Sequence, residues 1–446
     1  MKSHHVLRRD AARIWTAALR SVDPAIAVGK VVKRKGNLLQ IGGRKINLDR
    51  MHNLWVIGAG KAAASMGKAI ENILGRHLAG GILATKYGHR LPLKRLEIIE
   101  AAHPLPDANS VAAADGIVAL IKSRIEPDDL VLCLLSGGAS SLLVAPAEGI
   151  SLENKARCTQ LLQNSGADIH EVNAIRKHLS VIKGGGLAWM LAPTNSVSLI
   201  LSDVIGDEVD TIASGPMSPD PTTFGDCLEI LRRYHLMNRI PPAVKRRLEM
   251  GAAGKIKETP KELDPVFRNN EALLVGSNTQ ACTAAVQAAK RLGYHAFVLT
   301  SRLEGNNREA ARFHMNVAHE IVFQQRPLRR PACIISGGET TVKVTGKGKG
   351  GRNQEFSLHC VRQLARLPVP CIVASLGTDG TDGPTDAAGA IADNTTLARS
   401  MQYGPHFLNE SLFNNDSYTF FNRLGDLIVT GPTRTNVMDL HIVMVG

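Results

Sequence analysis

Short apolar runs recur along the chain from residue 54 onward, and each ends in glycine or a small polar residue before an amphipathic stretch begins. Runs of about four to eight apolar residues are typical of buried strands, whereas apolar residues three or four apart are typical of helices. The pattern predicts a first group of strands at 54–57, 81–85, 97–101, 130–135 and 197–201, with helices at 61–74 and 115–121. Such alternation predicts an α/β fold with a doubly wound parallel sheet.

A second α/β group follows a stretch at 241–265 that is rich in proline and lysine, which we interpret as the passage between domains. Beyond it the pattern predicts strands at 272–275, 296–300, 332–335 and 371–376, and helices at 279–292, 306–323 and 355–367. We therefore predict two α/β domains: a dinucleotide-fold-like N-terminal domain at 1–255 and a smaller C-terminal domain at 266–446. The amphipathic stretch at 11–27 is expected to pack on the first domain.

Charge and composition narrow the function classes. The chain has 446 residues, and 53 Lys and Arg against 40 Asp and Glu give a net charge of +13. The basic residues are scattered, which favours small anionic substrates over nucleic acid. No apolar run approaches the roughly 18–20 residues of a membrane span, and the seven cysteines form no CxxC pair. We expect a cytoplasmic protein with reduced thiols and no membrane partner.

Two glycine-rich turns are candidate anion sites. Gly58 and Gly60 follow the strand at 54–57, where backbone amides at a helix start can bind a phosphate; no acid follows about 20 residues later, as NAD binding requires. Lys61 is predicted in the first helical turn, against the helix dipole, which indicates a role in ligand binding. The second turn follows the strand at 130–135 and contains Ser136, Gly137, Gly138 and Ser140. The alternative is that it only connects a strand to a helix.

Aspartates and an arginine complete the candidate chemistry. Asp203 follows the strand at 197–201, and Asp379 and Asp382 follow the strand at 371–376, so each is a candidate ligand for Mg²⁺. Asp203 is also a candidate catalytic carboxylate, although capping a helix is the alternative. Arg352 lies after a glycine-rich loop at a predicted helix start and could clamp a phosphate or carboxylate. Positive charge, aspartates and anion turns together indicate phosphoryl transfer.

A resemblance to a known family joins these motifs. The matching segments are 58–63, 85–89, 102–107, 135–138, 176–180, 201–203, 213–216, 337–340, 351–355, 377–389, 414–418 and 430–433. In this order they closely resemble the glycerate 2-kinase family, whose C-terminal half is the MOFRL domain. Three residues depart from the family pattern: Gly186 replaces an arginine, and Ala139 and Arg434 replace glycines.

The resemblance implies an ATP-dependent kinase that phosphorylates D-glycerate on its 2-hydroxyl, within carbohydrate metabolism. Lys61 and Arg352 align with the family's active-site lysine and arginine, and the adjoining Asn353 and Gln354 are expected to bind substrate or nucleotide. ATP and Mg²⁺ are the expected cofactors, and a homodimer is left open. The alternative is an NAD(P)-dependent hydroxypyruvate reductase, for which Lys86 and Arg90 could bind an NADP 2′-phosphate.

Overall fold

A computed structural model describes residues 2–446. Its strands are β1 Val32–Lys35, β2 Leu38–Ile41, β3 Arg44–Asn47, β4 Leu54–Ala59, β5 Gly80–Lys86, β6 Leu96–Ala101, β7 Leu130–Ser136, β8 Asn195–Leu201, β9 Asn270–Gly276, β10 His295–Leu303, β11 Ala332–Gly338, β12 Cys371–Gly377, β13 Gly389–Asp393, β14 Leu427–Ile428 and β15 Asp439–Val445. Its helices are α1 His4–Ser21, α2 Pro24–Val31, α3 Ala63–Leu74, α4 Ala108–Arg124, α5 Ala139–Leu142, α6 Leu152–Asn164, α7 Ile169–His178, α8 Gly186–Leu191, α9 Phe224–Arg233, α10 Pro242–Ala252, α11 Asn278–Arg291, α12 Asn307–Gln324, α13 Arg352–Leu364, α14 Thr396–Ser400, α15 Phe407–Phe413 and α16 Ser417–Leu424.

The chain divides into two compact units, but not where the sequence pattern places the boundary. One unit is Pro24–Val275, and the other joins the segment up to Asp23 to Gly276–Gly446. The first helix therefore belongs with the C-terminal segments and not with the first domain. Its buried Asp10 accepts a hydrogen bond from the Tyr294 hydroxyl at 2.8 Å, and Arg8 forms ion pairs with Asp393 and Asp426. Such long-range polar contacts leave no amphipathic signal in the sequence.

The unit 24–275 is built on the predicted parallel sheet. Its strand order is β6-β5-β4-β7-β8-β9, and the ladders from β6 through β8 are parallel. Numbered from β4, this is the 3-2-1-4-5-6 order of dinucleotide-binding folds, whose direction of winding switches between the first and fourth strands. All six residues of β4 and all seven of β7 are buried, as expected for central parallel strands.

A helical cluster extends this unit beyond the sheet. Apolar residues of α6, α7, α9 and α10 share one core, which includes Phe224, Val244 and Leu248. The stretch at 241–265, which we interpreted as an interdomain passage, therefore contributes α10 to the core of this unit, and the chain leaves the unit at 275. Pro241 and Pro242 lie at the start of this helix, whereas three of the four lysines of the stretch, Lys255, Lys257 and Lys261, follow it.

The C-terminal unit has a mixed sheet of order β10-β11-β15-β12-β13-β14. Strands β10 and β11 are parallel, whereas β15 runs antiparallel to both β11 and β12. All seven residues of β15 are buried, although the sequence pattern had not singled this strand out. The predicted α/β class is confirmed for both units, and each has a six-stranded sheet, of which the second is mixed.

Two further properties of residues 2–446 concern the cysteines and the composition of the helices. All seven cysteines are buried free thiols, and burial raises the pKa of Cys133 to about 12. Within that range no helix combines the length and the apolar composition that crossing a membrane demands.

Candidate active site

The predicted anion turns lie at one edge of the parallel sheet. Strands β4, β7 and β8 are parallel neighbours, so the segments that follow them emerge at the same edge. These segments begin with Gly60, with Gly137 and with Ser202, and they include Lys61, Gly138 and Asp203. Ligands of open α/β sheets bind at this edge, at the switch of winding.

The turns after β4 and β7 are locked together by their glycines. Gly60 has φ +138°, and a Cβ there would lie 2.0 Å from the Ser136 Oγ. That hydroxyl accepts a hydrogen bond from the Ala62 amide at 3.0 Å, and the Lys61 amide donates to the Gly137 carbonyl at 2.9 Å. Gly58, within β4, would likewise collide with the Leu134 carbonyl. Close packing of two strands therefore explains both glycines without a phosphate.

Lys61 precedes the helix that was predicted to contain it. Helix α3 begins at Ala63, so Lys61 lies outside its first turn, and the predicted opposition between Lys61 and the helix dipole is wrong. Its carbonyl instead faces the His89 Nδ1 at 3.2 Å, and its half-buried side chain passes Gly138, with Cγ 3.5 Å from where a Cβ would stand. The lysine stem is thus laid across the second turn.

The second turn contacts a histidine from a third strand end. Gly138 has φ +84°, a left-handed conformation in which a Cβ would lie 2.9 Å from the His103 Cδ2. Ser140 lies nearby, and its hydroxyl is 3.1 Å from that of Ser214. The sequence indicated His103 only as a residue after β6 and did not assign it a role.

Ser214 belongs to a strained segment. Ala213, Ser214 and Gly215 all have left-handed φ values, of 57°, 60° and 61°. Non-glycine residues in that region cost about 1–3 kcal/mol each, and such strain concentrates at functional sites. Buried Asn173 accepts a hydrogen bond from the Ser214 hydroxyl at 3.0 Å, which helps to fix the segment.

Arg352 is the first residue of α13 in the C-terminal unit, as the sequence predicted. Its guanidinium forms a two-point ion pair with buried Asp439, with Nε–Oδ2 2.5 Å and Nη2–Oδ1 3.1 Å, and a further ion pair with Glu339. Although burial by itself lowers the pKa of Arg352, these carboxylates raise it overall. Burial raises the pKa of Asp439 to about 7, against the effect of Arg352. The positive charge of Arg352 is therefore balanced by carboxylates of the same unit.

Asp382 caps α13 and does not present a free carboxylate to a metal. Its Oδ1 and Oδ2 accept the amides of Asn353 and Gln354 at 3.0 and 2.8 Å, and the residue is 2% exposed. The Asn353 side chain also binds Asp439 and the Ser375 hydroxyl. These contacts account for Asp382, Asn353 and Gln354 as a buried network that orients α13, so we do not retain them as direct ligand contacts.

The glycine-rich loop before α13 is also occupied internally. The Gly346 and Lys347 amides donate to the side chains of Asn415 and Asn414 at 2.9 Å each, and the Lys349 amide donates to Asp416 at 3.0 Å. Side-chain oxygens thus take the positions that a phosphate would fill.

The predicted Mg²⁺ ligands are not gathered into a carboxylate cluster. Across residues 2–446, no group of three or more His, Cys, Asp or Glu side chains has metal-binding geometry. Asp203 is half-buried after β8, and Asp379 accepts the Thr381 amide and hydroxyl at 3.0 Å each. Mg²⁺ in phosphoryl-transfer sites is commonly held by one or two carboxylates together with the phosphates, so a larger carboxylate cluster is not required.

Sequence reasoning missed Asp439. It lies at the start of β15, where it is a single acid before a run that is apolar except for His441, LHIVMV. An isolated acid at the start of such a run is a detectable signal, but only the antiparallel pairing of β15 brings it to Arg352.

Fold and site together define an α/β enzyme with a dinucleotide-type sheet and its ligand edge at the switch of winding. Residues 10–249 match a domain of unknown function (DUF4147), and residues 332–439 match the MOFRL family. The chain is 41% identical to the glycerate 2-kinase of Pyrococcus horikoshii, over 98% of this chain and 97% of that protein. It is 43% identical to the D-glycerate 2-kinase of Thermotoga maritima, over 90% and 92%.

Solved structures agree with these relatives. A crystal structure of glycerate kinase from Thermotoga maritima is 40% identical and superposes with a TM-score of 0.86, covering 99% of both chains. One relative from Agrobacterium vitis, 40% identical over 98% of this chain and 94% of its own length, is provisionally named a hydroxypyruvate reductase. The chain belongs to the glycerate kinase family, which confirms the resemblance found in its motifs.

Proposed function

We propose that this protein transfers the γ-phosphoryl group of ATP to the 2-hydroxyl of D-glycerate, giving 2-phosphoglycerate and ADP. The observation that carries the proposal is the identity of 41–43% to glycerate 2-kinases over nearly the whole chain. The sheet edge supports it, because it gathers Lys61, Gly138 and His103 where a phosphorylated ligand is expected.

Lys61 is the proposed stabiliser of the transferred phosphoryl group. It is the cation whose stem lies across the turn at Gly138, and a positioned cation stabilises charge that develops in the transition state. Ser136 and Gly137 hold this lysine's backbone in place through the Ala62 and Lys61 amides. Ser140 is the hydroxyl of this turn that we assign to nucleotide binding.

Arg352 is the second proposed catalytic cation. Its guanidinium is one-third exposed and held in one orientation by Asp439, so its exposed edge can bind a carboxylate or phosphate. Asp203, in the unit 24–275, and Asp379, in the C-terminal unit, are each proposed as a Mg²⁺ ligand, because bound Mg²⁺ would neutralise phosphate charge during transfer. We propose further that the protein is cytoplasmic and that its partners are the small molecules ATP and D-glycerate.

Hydroxypyruvate reduction is the competing reaction, and one comparison tests both. The protein is incubated with D-glycerate and Mg·ATP, and separately with hydroxypyruvate and NADH or NADPH. Phosphorus NMR distinguishes 2-phosphoglycerate from 3-phosphoglycerate, and absorbance at the nicotinamide band reports hydride transfer. Formation of 2-phosphoglycerate is expected; 3-phosphoglycerate as the sole product, or reduction without ATP use, contradicts the proposal.

A further inference from the structure

A cavity of about 400 Å³ lies within the unit 24–275, beside the turn at Gly138. Its walls come from the segment after β6, the turn after β7, helix α6, the end of α7 and the segment that follows α7. Three of its lining residues are cations and none is an acid: Lys155, Arg176 and Lys183. An unbalanced group of cations in a concavity attracts anions.

The two lysines are buried without a carboxylate partner among the residues described. Lys155 is 7% exposed and its Nζ donates to the Leu179 carbonyl at 3.1 Å. Lys183 is 3% exposed and its Nζ donates to the Ser140 and Ala213 carbonyls at 2.9 and 3.2 Å. An ammonium has three N–H donors, and neutral main-chain carbonyls can accept from them without supplying a counter-charge.

A neighbouring lysine shows how this unit balances a buried cation elsewhere. Lys177 is 2% exposed, and its Nζ lies 3.0 Å from Asp210 and 3.3 Å from Asp220. Arg176, one residue before it, lines the cavity, and within residues 2–446 its guanidinium has no hydrogen bond or ion pair. The absence of carboxylates is therefore a property of the cavity and not of the region.

Burial and mutual repulsion both oppose these charges. Burial lowers the pKa of Lys155 to about 7, with further lowering from Arg176 and Arg247. Burial also lowers the pKa of Lys183 well below its usual range, and Lys155 and Arg176 add to that effect. An anion in the cavity would reverse both effects, because it pairs with the charged forms.

We propose that this cavity binds the polyphosphate chain of a nucleotide, through Lys155, Arg176 and Lys183. This inference rests on the proposed function, since it assigns that kinase's nucleotide a place. Three cations match the charge of a diphosphate or triphosphate, whereas the single carboxylate of glycerate would leave two of them unbalanced. The volume lies in the range of about 300–1,000 Å³ of small-molecule sites, and Val144, Leu152 and Gln160 offer mixed apolar and amide contacts at the walls.

Calorimetric titration of the full-length protein with ADP, inorganic tripolyphosphate and D-glycerate, without added Mg²⁺, tests the assignment. Arg176→Met and Lys155→Met should each weaken ADP and tripolyphosphate binding at least tenfold and leave glycerate binding unchanged. Arg157→Met removes an exposed cation from the same helix, outside the cavity, and should leave all three unchanged. Arg176→Met is the variant expected to fold normally, because its guanidinium has no described partner, and thermal melting checks both variants.

A second readout separates charge pairing from general damage. Near pH 8, ADP binding to the wild type should take up protons as Lys155 becomes charged, which titrations in two buffers of different ionisation enthalpy reveal. Lys155→Met should reduce that uptake. Unchanged ADP and tripolyphosphate affinity in both variants overturns the assignment, and so does a loss confined to glycerate. If the wild type binds ADP through these residues yet phosphorylates no glycerate, the proposed function fails and the site stands.

Discussion

The Arg352 guanidinium and the Asp439 carboxylate form a two-point ion pair, with Nε–Oδ2 2.5 Å and Nη2–Oδ1 3.1 Å. Asp439 is fully buried, whereas the Arg352 side chain is one-third exposed. The pair joins the start of α13 to the start of β15. It therefore fixes the orientation of a partly exposed guanidinium from its buried side.

This pair reverses a stability expectation that follows from the sequence. A cation at a helix start opposes the dipole, so its removal would leave stability level or raise it. Arg352→Ala should instead destabilise the C-terminal unit, because breaking a buried pair costs about 3–5 kcal/mol. We expect the lower end of that range, since the guanidinium is partly exposed. Chemical denaturation measures the effect; a midpoint at or above that of the wild type would show that the pair contributes nothing.

The fold was largely predictable because it depends on local patterns. The strands predicted at 130–135 and 371–376 are β7 and β12, each extended by one residue at its end. The place of α1 was not predictable, since it depends on the contacts of Asp10 with Tyr294 and of Arg8 with Asp393 and Asp426, partners hundreds of residues away. Periodicity shows which face of α1 is apolar but not which unit covers it.

Lys61→Met should lower turnover by about 10²–10³, the range for one lost charge-stabilising group. Met keeps the main-chain amide and carbonyl that bind Gly137 and His89, so the variant should remain folded. Steady-state kinetics and melting of the same preparations measure both. Lys122→Met is the matched control, since Lys122 is an exposed residue in the last turn of α4. Equal turnover in the two variants would exclude a catalytic role for Lys61.

The candidate site was only partly predictable, and the aspartates show why. Asp203 and Asp382 both follow strands and looked alike in the sequence, yet Asp382 turns inward to cap α13. Strand ends can be located from apolar runs, whereas the direction of a carboxylate depends on which helix start lies beside it. The same limit applies to Asn353, whose amide is used by Asp439 and Ser375.

Substitutions at these two aspartates should therefore have opposite consequences. Asp203→Asn is expected to lower kcat at least tenfold, about 1.4 kcal/mol of barrier, and to raise the Mg²⁺ concentration needed for half-maximal rate. Asp382→Ala should lower the free energy of unfolding by about 2 kcal/mol, as for a lost helix cap, with the Mg²⁺ requirement unchanged. Magnesium titrations of the rate, with denaturation curves, decide. A raised Mg²⁺ requirement in Asp382→Ala alone would exchange the two assignments.

Glu258 should make the stability of the unit 24–275 depend on pH in the acidic range. Burial raises its pKa, but hydrogen bonds from His178, at 2.9 Å, and from the Phe224 and Thr259 amides lower it overall to about 2, below the ordinary value of 4.5. A carboxyl with a lowered folded-state pKa contributes its full stabilisation above its unfolded pKa, and that stabilisation is lost as the pH falls from about 4.5 towards 2.

Glu258→Gln should therefore lower the melting temperature at pH 6 more than at pH 3. Glu262→Gln, the same change at an exposed acid nearby, is the control in calorimetric melting at both pH values. Equal losses for Glu258→Gln at pH 6 and pH 3 would mean that its charge does not stabilise the fold.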